Sequence, residues 1–89
     1  MNKLETKTDF SHTSIVLSDG NTHDITLTFS FVPVSIEMIH FYCAHIGASF
    51  AELVIKSISF SGYDIIITIE CTYGTSSTYN TGVIVTAAG

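Results

Sequence analysis

Two alternating runs, Asp24–Phe31 and Val34–Met38, meet at the single proline of the chain, Pro33. In the first run Ile25, Leu27, Phe29 and Phe31 share one side, and Thr26, Thr28 and Ser30 the other. A period of two with one apolar and one polar side is the pattern of a half-buried strand. Val34, Ile36 and Met38 then resume it against Ser35 and Glu37. Proline has no backbone donor and does not sit mid-ladder, so Pro33 marks a corner or an edge. A strand turning a corner into another strand is how a β-sandwich passes from one sheet to the other.

The rest of the chain fits around that corner. Met1–Asp9 is charged and aperiodic, and reads as a tail or a docking segment ahead of a single domain over residues 10–89. A short strand over Ser14–Ser18 is followed by Asp19-Gly20-Asn21, a turn signal that predicts a hairpin into the Asp24–Phe31 strand. A third strand over about Val34–Cys43 is less regular, because Met38 and Ile39 are adjacent and Phe41 follows on the Ile39 side. Either a bulge switches sides there, or both faces are covered. Ala44–Ala51 reads as a loop or one helical turn. Strands over Glu52–Ser61 and Tyr63–Thr72 flank a Ser61-Gly62 turn, and the second is rich in β-branched residues. Tyr73–Gly82 reads as a polar hairpin loop, and Val83–Ala88 as the last strand. The expectation is an all-β, six-stranded antiparallel sandwich.

Composition bounds the function. At 89 residues there is one domain, and a chain of this size buries only about 60% of its unfolded surface. Yet 46% of it is hydrophobic and 12% charged, about half the usual ~25% charged content. That surplus predicts a homo-oligomer. Lys3, Lys7 and Lys56 form no patch, there is no arginine, and the net charge is -5, which argues against nucleic acid and anionic membranes. No apolar run is long enough to span a bilayer, and the N-terminus carries no signal-peptide pattern. Cys43 and Cys71 are too few for a disulfide scaffold; Cys71 continues the series Ile65, Ile67, Ile69 and reads as a buried free thiol.

Catalytic constellations are missing from the pattern. His12, His23, His40 and His45 are scattered, and His40 and His45 lack a third ligand at metal spacing, so no metal and no cofactor is expected. Glu37 and Glu70 lie on wet strand faces without the paired geometry of glycoside hydrolysis. Asp19, Asn21, His23 and Asp24 form a compact polar cluster that suits sugar hydroxyls or Ca²⁺, although a turn requires the same residues. Tyr73 and Tyr79, with Asn80 and the intervening Ser and Thr residues, have the mixture of rigid aromatic and adaptable polar groups found at recognition surfaces. A solvated loop tip explains them equally well. Ile39 and Phe41, on the second side of the third strand, are the expected subunit contact.

The order of three signatures resembles a known family. They are Thr26-Leu27-Thr28-Phe29-Ser30-Phe31-Val32-Pro33-Val34-Ser35-Ile36, the Ser61-Gly62-Tyr63 turn between strands, and the ending Val83-Ile84-Val85-Thr86-Ala87-Ala88-Gly89. From Asp24 to Gly89 the chain resembles the H-type lectins and the similar C-terminal tip domains of phage tail fibres. The resemblance implies a six-stranded antiparallel sandwich that assembles as a trimer, and Phe29, Pro33, Val34, Ile36, Gly62, Tyr63 and the Ala87-Ala88-Gly89 end as fold-determining positions. The family usually carries a tryptophan where this chain has Val85, and its lectins use an arginine at the sugar site; this chain has neither Trp nor Arg. The resemblance therefore speaks for fold and trimer more than for sugar specificity. It implies a non-enzymatic phage or prophage virion protein, made in the host cytoplasm, that serves host attachment or fibre assembly alongside other virion proteins. A free-standing lectin for cell-surface glycans and an architectural capsid decoration protein are the alternatives.

Overall fold

The computed structural model describes residues 3–46, 52–73 and 76–89, with the backbone only of Ile46 and Tyr73. Six strands, β1 (Leu4–Leu17), β2 (Thr22–Thr28), β3 (Ser35–Ile46), β4 (Glu52–Ser61), β5 (Asp64–Tyr73) and β6 (Ser77–Ala88), form two three-stranded antiparallel sheets. Sheet A has the order β1-β6-β3 and sheet B the order β2-β5-β4. The expected all-β antiparallel sandwich is the fold.

The core follows from the alternation. Ile25, Leu27, Phe29 and Phe31 of the β2 run face Ile65, Ile67 and Ile69 of β5 and Val83, Val85 and Ala87 of β6, all buried. Pro33 lies between β2 in sheet B and β3 in sheet A, so the proline corner carries the chain from one layer to the other. Beyond it, Val34 donates its N–H to the carbonyl of Ala88 and opens the β3–β6 ladder. The ladder shifts register between Ile36 and Met38. That bulge explains the adjacent apolar residues of this strand, and it returns Ile39 and Phe41 to the core side, where both pack against the buried cluster.

Four sequence expectations change. β1 begins at Leu4 rather than Ser14, so Leu4–Asp9, expected as part of a tail, is paired with Val83–Ala88. The Asp19-Gly20-Asn21 turn does not close a hairpin, because β1 and β2 lie in different sheets. It is an arch: Gly20, at φ +88°, donates to the Cys71 carbonyl, and Asn21 accepts from the Cys71 N–H. Ala44 to Ile46 extend β3, while residues 47–51 lie outside the described residues. The expected loop Tyr73–Gly82 is mostly strand, since β5 ends at Tyr73 and β6 starts at Ser77.

The β4–β5 connection is a two-residue hairpin. Ser61 pairs with Asp64, Gly62 takes φ +60°, and Tyr63 keeps a negative φ. A positive φ at the first central residue alone defines the type II′ turn, which glycine adopts without strain. At the same end of the sandwich Lys3 and Gly89 exchange both backbone hydrogen bonds, at 2.6 and 3.0 Å.

Candidate functional site

The outward face of sheet A is the most distinctive surface. Even-numbered residues of β6 point outward, and register places Thr8, Ile84 and His40 in one row and Thr6, Thr86 and Met38 in the next. Phe10 lies across Gly82 so closely that a Cβ there would fall inside its ring. Its edge meets Tyr42 at 6.1 Å and 81°, which makes an aromatic bridge over all three strands. Phe10, Met38 and Tyr42 are 47%, 43% and 46% exposed. No Lys, Arg, Asp or Glu occupies these paired rows; Glu37 sits at the bulge, held by the Ser35 hydroxyl at 2.7 Å.

The outward face of sheet B is the opposite. Thr68 donates to Asp24 at 2.7 Å, Thr28 to Asp64 at 2.6 Å, and Lys56 approaches Glu70 at 3.7 Å. Each is a cross-strand polar pair on a solvated face, of the kind that fixes register and keeps a sheet in water.

The residues expected to bind a ligand are not gathered in one place. Tyr79 is 1% exposed, with its hydroxyl 3.6 Å from the Cys71 thiol and its ring 5.3 Å from that of His45. Burial first, and then the Cys71 hydrogen bond, push its phenol far above the ordinary range. It is a core residue, because β6 alternates Ser77, Tyr79 and Thr81 inward. The side chain of Tyr73 lies outside the described residues. Asn80 faces the other side, and its side-chain oxygen accepts the Ser14 N–H at 3.0 Å. Asp19 is exposed in the arch, and Asn21 is committed to it by accepting the Ser18 N–H at 3.0 Å. Ile39 and Phe41 face the core, so the side of β3 open to another molecule is that of Met38, His40 and Tyr42.

His23 belongs to a cluster that sequence inspection missed. His12 Nε2 lies 3.0 Å from Asp9 Oδ2, and His12 Nδ1 lies 2.8 Å from His23 Nε2. Asp9 Oδ1 also accepts the Ser11 N–H at 2.9 Å and the Ser11 hydroxyl at 2.6 Å. Because the carboxylate only accepts, the network assigns the proton of neutral His12 to Nε2, and its Nδ1 accepts from His23. The chain of groups joins β1 of sheet A to β2 of sheet B.

Both ends of that chain have shifted proton affinities. Burial, and then the field of His12, lower the pKa of His23 against the opposing pull of Asp24. Burial is the largest single influence on Asp9 and acts upward, but the Ser11 and His12 bonds together outweigh it and leave the pKa lowered. Asp9 and His12 are eleven or more residues from His23, and only the facing of two sheets brings them together.

The arrangement links the two sheets by hydrogen bonds running from Asp9 through His12 to His23, and the neighbouring Ser11 hydroxyl donates to Asp9. Among the described residues no group of three or more His, Cys, Asp or Glu is placed to hold a metal ion. No family model, no curated protein and no solved structure matches the chain.

Proposed function

We propose that this chain is a non-enzymatic phage or prophage virion protein that works as a homo-oligomer, a trimer by its resemblance to the H-type lectins, in fibre assembly or host attachment. The observation that carries the binding role is the uncharged outer face of sheet A with its half-exposed Phe10, Met38 and Tyr42. Half-exposed aromatic and methionine side chains clustered on an uncharged face of a small domain mark a contact surface. Burying it against other copies would contribute about 25 cal/mol per Å² to a fold that is marginal at this length.

Sedimentation of the wild type and of Tyr42→Asp tests this. The wild type is expected as a trimer or a multiple of it, and Tyr42→Asp as smaller species with the same circular dichroism. A wild type that sediments as a monomer at all concentrations would remove the reading. The lectin alternative predicts glycan-array binding that is lost on changing exposed residues of this face such as Tyr42 while the fold is kept.

A further inference from the structure

The edge of β4 in sheet B offers a surface distinct from the face of sheet A. Sheet edges expose unpaired N–H and C=O groups, and proteins guard them with charges, bulges, proline or short length. β1 is guarded by Glu5, Lys7 and Asp9 on its inward side and by two register shifts, and β2 is only seven residues long. On β3 the bulge carries Glu37. On β4 the register shifts lie between Glu52 and Leu53 and between Ile55 and Ser57. After the second, Ser57-Ile58-Ser59-Phe60-Ser61 has no charge, no bulge and no proline, and every residue in it is exposed.

The apolar residues of this segment are on the inward side yet uncovered. Ile58 pairs with Ile67 and Phe60 with Ile65, both of which are fully buried, while Ile58 and Phe60 remain 38% and 45% exposed. The hairpin fixes which backbone groups are free. In a two-residue hairpin the closing pair, here Ser61 and Asp64, exchanges both hydrogen bonds, and the pairs alternate from there. Ser59 therefore bonds to β5, and the N–H and C=O of Ile58 and Phe60 point away from the sheet.

The segment is self-complementary about Ser59. In an antiparallel pairing of two copies centred on that residue, Ile58 stands opposite Phe60 of the second copy, and the reverse. The outward-pointing groups of those residues then exchange four backbone hydrogen bonds, and each uncovered Ile meets an uncovered Phe on the inward side. The geometry points to a twofold β4–β4 contact with a second copy of this chain, which joins two sheets B into one six-stranded sheet. Such an isologous contact uses the same patch on both partners. It does not use Tyr42, so it stands or falls independently of the sheet A contact.

Cross-linking tests it. In a Cys43→Ser background, Ser59→Cys places two thiols opposite each other at a non-hydrogen-bonded pair, where Cα atoms lie about 4.5 Å apart, within disulfide reach. Under mild oxidation at micromolar protein this variant is expected to run as a disulfide-linked dimer. Ser57→Cys, whose partner would be position 61, is expected to stay uncross-linked. Adding Ile58→Lys to the Ser59→Cys variant should abolish the dimer while the melting temperature stays near that of the parent. Equal cross-linking of Ser57→Cys and Ser59→Cys, or none by Ser59→Cys, overturns the contact. Adding Tyr42→Asp to the Ser59→Cys variant should leave the cross-link in place, which separates this failure from that of the sheet A reading.

Discussion

The two flanks of the sandwich solve the same problem with opposite chemistry. Where β3 lies over β4 the gap is filled by hydrocarbon, with Ile36, Ile39 and Phe41 on one side and Leu53 and Ile55 on the other. Where β1 lies over β2 the inward residues of β1 as far as His12 are Glu5, Lys7, Asp9 and His12, ahead of the apolar Ile15 and Leu17, and the gap beside them is closed by polar contacts. Glu5 accepts the Ser30 N–H at 2.8 Å and forms an ion pair with Lys7 at 3.7 Å, and His12 reaches His23. The Ser30 backbone bond is the main reason the Glu5 carboxyl sits below its usual pKa. The lesson is that an edge strand need not be amphipathic in the usual sense to be placed: inward polar groups serve if each finds a partner. The flanks therefore differ in how they should fail.

The largest difference should come from truncating the apolar flank. Phe41→Ala is expected to destabilise the fold by about 2–4 kcal/mol, near the low end for core phenylalanines because the ring is only partly buried. Chemical denaturation would measure it, and the loss should not depend on pH. A loss under about 1 kcal/mol would mean that this flank is not packed as described.

The polar flank should fail through protons. His23 has a folded pKa below its unfolded value of about 6.5, so its contribution is whole above that pH and is lost as pH falls through the folded pKa. Asp9, also lowered, keeps its contribution above its ordinary carboxylate pKa and loses it in more acidic solution, as pH falls through the folded value. Melting temperature should therefore fall in two steps on acidification. His23→Gln, which can still donate to His12, should erase the first step and leave the second. Persistence of the first step in that variant would assign it to another group. At neutral pH, His12→Ala should cost about 1–2 kcal/mol for two lost hydrogen bonds.

The smallest effect tests how β1 was bent to make that flank. Ser14 is exposed, lies within the register shift between His12 and Ile15 and has φ 55°, a left-handed conformation. Ser14→Gly should stabilise by about 0.5–1 kcal/mol by relieving it. A destabilising result would show that the serine side chain is needed there.

The same contrast explains what could be read in the sequence. The apolar alternation of Ile25 to Phe31 and of Ile65 to Cys71 announced the core directly, because burial selects hydrocarbon at every second residue. Pro33 announced the change of sheet because it lacks a donor. The first part of β1, ahead of the strand read at Ser14, escaped because its pattern is inverted: Leu4, Thr6, Thr8 and Phe10 face outward, while the charged residues face inward. The period of two was present in Glu5-Thr6-Lys7-Thr8-Asp9, carried by charge instead of hydrophobicity. The arch was misread as a hairpin because Asp-Gly-Asn chemistry sets a turn and says nothing about which sheet the next strand joins. In β6, Ser77, Tyr79 and Thr81 are buried, but their polarity made them look like loop. The His12–His23 contact depends on two sheets facing each other, and no local pattern encodes that.

The bonded pair Lys3 and Gly89 gives the domain a direction. Both ends of the described chain leave from one corner, beside the Gly62-Tyr63 hairpin, so any polypeptide joined to either end is tethered there. A linker of a few residues would join those ends without disturbing a strand. Assembly through either end would then hold this corner inward and carry the opposite pole of the sandwich, where the β1–β2 arch lies, farthest from the attachment.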